Sequence, residues 1–144
     1  MRRPVWTVLV VGSALTALVS CTTATGQNEV MPTQADGAAF FAANCASCHG
    51  ADGRGAGVAA GSLAAPPPDL TTLSAANGGI FPAAEALSYI YGDPRTGHLA
   101  RVMPEFGGAM AEDLVPVEIE GVLTPTPREL AGLLVYLESI QRVE

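Results

Sequence analysis

Apolar residues recur with a helical period near the end of the chain, where Leu130, Leu133, Leu134, Leu137 and Ile140 stand at i, i+3, i+4, i+7 and i+10. Thr126-Pro127-Arg128-Glu129, just before them, reads as a capping box with proline at the first helical position. A second helix is predicted over DGAAFFAANCASC, residues 36–48, whose alanines favour helix and whose Gly37 and Phe41 share one face. A third, short helix is predicted between Phe81 and Gly92, with Pro82 near its start and Gly92 past its end. In the stretch 107–125, Val115, Val117 and Ile119 alternate with Pro116, Glu118 and Glu120, a period of two that predicts a short edge strand or hairpin arm. At the other end, Met1-Arg2-Arg3 precedes an apolar run from Val5 to Val19, of signal-peptide length and broken by Gly12, Ser13 and Thr16. Residues 22–35 are polar and aperiodic, which predicts a flexible tether reaching about 20 Å.

The chain has 144 residues, enough for one domain and too few for a second large one. Only 15% of residues are charged, and 16 Gly and 11 Pro predict a small core with much loop. Net charge is −7 with no lysine, which excludes nucleic acid as a partner, since binding phosphates needs the opposite sign. Three cysteines cannot all pair within one chain, so each requires its own account.

Two of them form Cys45-Ala46-Ser47-Cys48-His49, a C-x-x-C-H sequence that reads as c-type haem attachment. Two thiols three residues apart on a turning backbone can each form a thioether to one of two haem vinyl groups, with His49 then beneath the iron. Three other readings compete. A disulfide oxidoreductase places C-x-x-C at a helix start after a strand, whereas here a helical segment precedes it. A structural zinc site needs a fourth ligand and usually a second cysteine pair. A plain disulfide with a bystander histidine remains as the third. Further on, Gly55-Ala56-Gly57-Val58-Ala59-Ala60 matches a dinucleotide-binding pattern in form only, because no strand leads into it.

With these residues in view, the sequence resembles the class I c-type cytochromes over residues 36–141. The resemblance rests on C-x-x-C-H, on Gly37 and Phe41 before it, on Leu133-x-x-Tyr136 in the last helix and on Met103-Pro104. It implies an all-α cytochrome c fold, three to five helices around one covalently bound haem c, with the 107–125 insertion admitting a short β element. Gly37 and Phe41 would pack against the last helix. Cys45 and Cys48 would carry the thioethers, and His49 and Met103 the iron, with Met110 and His98 as competitors for the sixth position. Pro68 would offer its carbonyl to the proximal histidine, fixing its tautomer, and Tyr89 or Tyr91 would reach a haem propionate.

Leu18-Val19-Ser20-Cys21 resembles the lipobox of bacterial lipoproteins. That likeness implies a signal peptide over 1–20, a lipidated Cys21 opening a tether over 21–35, and a cytochrome c domain over 36–144. Cleavage removes two arginines and no acidic residue, taking the formal charge from −7 to −9. Acyl chains, not electrostatics, would then hold the protein to a membrane. The expectation is a non-enzymatic electron carrier on the periplasmic or outer face of a bacterial membrane, meeting redox partner proteins transiently and taking no small-molecule substrate. Filled axial positions of the His/Met kind favour ferrous iron and disfavour catalysis. The rival readings are a haem enzyme or gas sensor with an open sixth position, and a fixed electron-transfer subunit of a respiratory complex. The acidic residues Glu105, Glu112, Asp113, Glu118 and Glu120 would suit a basic partner or simply face solvent.

Overall fold

Thr33 and Asp36 open the first helix with a reciprocal capping box in the computed structural model, which describes residues 30–92 and 103–142. The Thr33 hydroxyl accepts from the Asp36 N–H, while Asp36 Oδ2 accepts from the Thr33 N–H at 2.7 Å. Helix α1, Gln34–Asn44, therefore begins inside the stretch expected to be tether. T-x-x-D was the available signal, and the polarity of the region concealed it. The chain turns at Cys45 into the single helical turn α2, Ala46–His49. It then continues through α3, Leu73–Ala76, α4, Ala83–Tyr91, and α5, Arg128–Ser139, with short 3₁₀ turns between them.

α1 and α5, from opposite ends of the chain, cross at two glycines. A Cβ on Gly37 would overlap the Gly132 carbonyl, and one on Gly132 would lie 3.2 Å from the Gly37 nitrogen. Backbone approach this close brings Phe41 against Tyr136, with ring centroids 5.2 Å apart, and buries Leu130, Leu133 and Leu137. The expected packing of Gly37 and Phe41 on the last helix is thus present. Each of these large side chains contributes about 1.5–3 kcal/mol by leaving water.

Residues 114–127 form a β-hairpin, so the short strand expected in 107–125 is present, preceded by a 3₁₀ turn at Gly107–Ala109. β1, Leu114–Ile119, pairs antiparallel with β2, Val122–Pro127, in a register that sets Pro116 opposite Pro125. Neither proline has an N–H, so this pair sits where the strands exchange no hydrogen bonds, and both outer edges lack a donor there. Such edges resist pairing with another chain. Glu120 and Gly121 turn the hairpin with φ of 52° and 81°, as a type I′ turn requires. Val115 and Ile119 face inward onto α5.

Here one expectation fails. Thr126 does not cap α5: β2 runs directly into the helix, Pro127 occupies the N-cap position, and no side chain caps it. Thr126 is fully buried and donates its hydroxyl to the Thr124 carbonyl, while the Arg128 N–H is satisfied by the Asp113 carbonyl. Sheet pairing has taken the residue that a free helix end would have used. The fold is therefore about five helices plus a two-stranded sheet rather than purely α. Among the described residues no helix is long and apolar enough to cross a membrane.

Candidate functional site

Cys45 terminates α1, and its N–H donates to the Phe41 carbonyl at 2.9 Å, so the position of the first thiol is tied to the buried Phe41. One turn on, α2 ends at Gly50 with φ 80°. The carbonyls left over at that short helix are satisfied by the loop folding back: Gly55 N–H donates to His49 O at 2.7 Å, Gly57 to Cys48 O at 3.1 Å, Ala59 to Ser47 O at 2.8 Å. Glycine is required at two of these places. A Cβ on Gly57 would strike the Ser47 and Cys48 backbone, and one on Gly55 would strike the Pro67 carbonyl. The pattern that imitates a dinucleotide motif is thus a device for layering three backbone segments around C-x-x-C-H.

The result is a cavity of about 750 Å³ bounded by elements from the whole length of the domain. Cys45, Cys48 and His49 line one side, Leu133 and Leu137 of α5 another, and Tyr89 and Ile90 of α4 a third. Met103 and Pro104 complete the lining from the segment beyond α4. That segment is pinned: the Phe106 N–H donates to the Ile90 carbonyl at 3.1 Å, and the Phe106 ring meets Phe40 edge-on at 5.9 Å. A Cβ on Gly107 would run into the Tyr91 ring, so Tyr91 braces the same segment from outside.

Chemistry at the site follows from burial. Burial first, then the neighbouring Cys48, pushes the Cys45 thiol up to about 11. The two cysteines form no disulfide. A thiol held protonated is the reverse of the depressed attacking thiol of a disulfide oxidoreductase. Burial also holds His49 below the ordinary imidazole value, opposed by the Pro68 backbone, so its ring is neutral at neutral pH and has a nitrogen lone pair to give. Its Nδ1 is buried without a hydrogen bond of full geometry, although the Pro68 backbone lies near enough to favour a proton on the ring. Among the described residues no group of three or more His, Cys, Asp or Glu is placed to hold a metal ion.

A family model, described as cytochrome c, matches residues 34–141. The chain belongs to the cytochrome c family. Cytochromes of this family bind haem c covalently, usually one per domain, and are typically electron carriers rather than enzymes. No curated protein and no solved structure matches the chain. The residues present fit the group: a large, mainly apolar cavity holds two thiols, a neutral imidazole and a thioether sulfur on its walls.

Cys45, Cys48, His49, Pro68, Tyr89 and Met103 are brought to one cavity. Met110 is only half-buried and packs on the core outside that lining. His98 and Cys21 lie outside the described residues, as do the apolar run and the first part of the tether. Sequence reasoning missed Gly132, the partner of Gly37, because a lone glycine inside an apolar helix pattern looks like a defect. It also missed Gln141 and Arg142, which follow the last apolar position and carry no periodic signal.

Proposed function

We propose that this cytochrome is a one-electron carrier in which Cys45 and Cys48 hold haem c by thioethers and His49 and Met103 are its axial ligands. The observation that carries the reading is that these four side chains, spread from residue 45 to residue 103, line one cavity. Haem c, when bound there, supplies a ferric/ferrous couple. The chain's own part is positional. The crossing of α1 and α5 fixes Cys45, the loop 55–59 fixes His49 from behind, and the Phe106–Ile90 bond fixes the Met103 segment. Both segments are held by backbone contacts that do not depend on the group, so His49 and Met103 would be presented to it from fixed backbone in either oxidation state. Leu133, Leu137 and Ile90 exclude water from the cavity walls.

Beyond the fold, the proposal extends to place. Cys21 is the lipidated residue, the protein stands on the periplasmic face of a bacterial membrane, and its redox partners dock transiently. Tethering supports weak docking by raising effective concentration. The carrier reading is tested by optical spectra of the matured protein, oxidised and reduced, for wild type and Met103→Ala. A low-spin spectrum whose weak near-infrared methionine-to-iron band vanishes in the variant supports His49/Met103 ligation. A high-spin, carbon-monoxide-binding wild type refutes it. Cys45→Ala with Cys48→Ala is expected to abolish covalent haem, and Cys21→Ala to release the protein from membranes with its spectrum unchanged.

A further inference from the structure

The segment Pro66-Pro67-Pro68 lines the cavity beside His49 and contains no backbone N–H at all. It cannot hold its own carbonyls in place by donating. Its position is set from Gly55, against which Pro67 lies, and from the residues that follow. Those residues are tied to the end of the chain, about 70 positions away. Gln141 Nε2 donates to the Leu70 carbonyl at 2.8 Å and to the Leu137 carbonyl at 2.8 Å, while its Oε1 accepts from the Ser74 N–H at 2.9 Å. Its amide has both donors and its acceptor engaged. Arg142 adds an Nη2 to Asp69 Oδ2 contact at 2.9 Å and donates its own N–H to the Thr71 carbonyl at 2.9 Å. Asp69 in turn accepts from the Thr71 hydroxyl at 2.6 Å and N–H at 2.9 Å, and the Leu70 N–H donates to the Gly53 carbonyl at 2.8 Å.

We infer that Gln141 and Arg142 are positioning residues that set the Pro68 carbonyl against Nδ1 of His49 and thereby tune the reduction potential. The inference rests on the carrier reading above. Nδ1 is buried without a hydrogen bond of full geometry, and Pro68 lines the same cavity, its carbonyl oxygen 3.5 Å from where a Cβ on Gly55 would stand, beside the Gly55 N–H that donates to the His49 carbonyl. A carbonyl accepting from Nδ1–H makes the imidazole a stronger donor to the metal, which favours the ferric state. Loosening the strap lets the donor-less proline segment drift. The imidazole becomes a weaker donor and the ferrous state gains.

The test uses the haem-loaded protein and the variants Gln141→Ala, Gln141→Glu, Arg142→Lys and Arg128→Ala. Gln141→Glu keeps the side-chain volume and sets carboxylate oxygen against two carbonyls. Arg128→Ala is the control: it removes a 2.8 Å contact to Asp113 and a 2.7 Å bond to the Val30 carbonyl, in another part of the fold. Both Gln141 variants are expected to shift the ferrous/ferric ratio at fixed applied potential towards ferrous by about tenfold, or ~59 mV for one electron. They are also expected to speed hydrogen exchange at the His49 ring N–H seen by NMR. Arg142→Lys is expected to shift less in the same direction and serves where a Gln141 variant fails to load. Arg128→Ala is expected to unfold at lower temperature with its midpoint unmoved. Loaded Gln141 and Arg142 variants that unfold earlier yet keep the wild-type potential and exchange rate overturn the inference, leaving the carrier reading intact. A wild type without covalent haem overturns the carrier reading itself, and the inference with it.

Discussion

Gly37→Ala is the sharpest probe of how the fold builds the site. A Cβ at this position would stand 2.5 Å from the Gly132 carbonyl carbon and 2.8 Å from Tyr136 Cβ. Ordinary contact begins near 3.4 Å and the Gly132 carbonyl oxygen lies nearer still, so α1 and α5 must part by about 1.5 Å, and no rotamer relieves a clash between backbones. Overpacking of this kind costs about 1–3 kcal/mol, and the backbone partner puts it at the upper end. Alanine returns about 1 kcal/mol through helix propensity. The net loss is about 2 kcal/mol, which at about 4–8 °C per kcal/mol for a domain near this size lowers Tm by ~8–16 °C. Phe41 and Cys45 move with α1, and Leu133 and Leu137 with α5, so the cavity widens between walls it shares with both helices. The assay is thermal unfolding of the loaded protein, read beside the near-infrared methionine-to-iron band that the proposed Met103 ligation would give, with Gly61→Ala as control, since nothing lies within 4 Å of a Cβ there. Gly61→Ala is expected to change stability by less than about 0.5 kcal/mol. A Gly37→Ala protein that melts with wild type and keeps its band refutes the close-crossing argument.

Two further outcomes follow from local geometry. Glu120 holds φ 52° without being glycine, so Glu120→Asn, which tolerates the left-handed region and suits an Asn-Gly type I′ turn, is expected to stabilise by about 0.5–1 kcal/mol in denaturant unfolding. Asp36 is held below 3.8 by the Thr33 N–H and then its hydroxyl, and Asp69 below 3.8 by the Thr71 hydroxyl and then its N–H. Since the unfolded chain binds these protons first, their stabilisation is complete above about pH 5 and is lost as pH falls through the folded values. Tm curves of Asp36→Asn and Asp69→Asn are therefore expected to lie below wild type near neutrality and to converge with it in acid. Curves that stay parallel down to about pH 2 count against these hydrogen-bonded carboxylates.

Most of the helical architecture was legible because it is encoded locally. The stripe Leu130, Leu133, Leu137 and the Gly92 terminus need only a window of ten residues to be read, and α5 and α4 stand where those signals put them. C-x-x-C-H is equally local. What escaped depends on contacts between distant segments. Thr126 looked like a helix cap, but β1 competes for it, and pairing across the hairpin is invisible to a window on one strand. Gly132 has meaning only beside Gly37, and Gln141 only beside Leu70. The tether boundary failed for a different reason: Thr33-x-x-Asp36 is a local signal, set inside a polar stretch whose composition argued the other way.

The hairpin explains why α5 can serve the cavity at all. Six of its twelve residues are buried, on more than one side, which a helix facing only the cavity would not show. Leu130, Leu133 and Leu137 belong to the core shared with Phe41 and Ile90, while Ala131 and Leu134 turn to the side where Val117 and Glu118 of β1 lie. Without that cover, Leu134 and Ala131 would be more exposed apolar surface on the helix whose Leu133 and Leu137 line the cavity. The insertion thus acts on the site through packing rather than through any residue of its own. Its proline-blocked edges keep it from recruiting a strand of another chain. This also separates its acidic side chains from the chemistry. Glu118 of β1 lies beside Ala131 and Leu134 of α5 and is not among the residues that line the cavity.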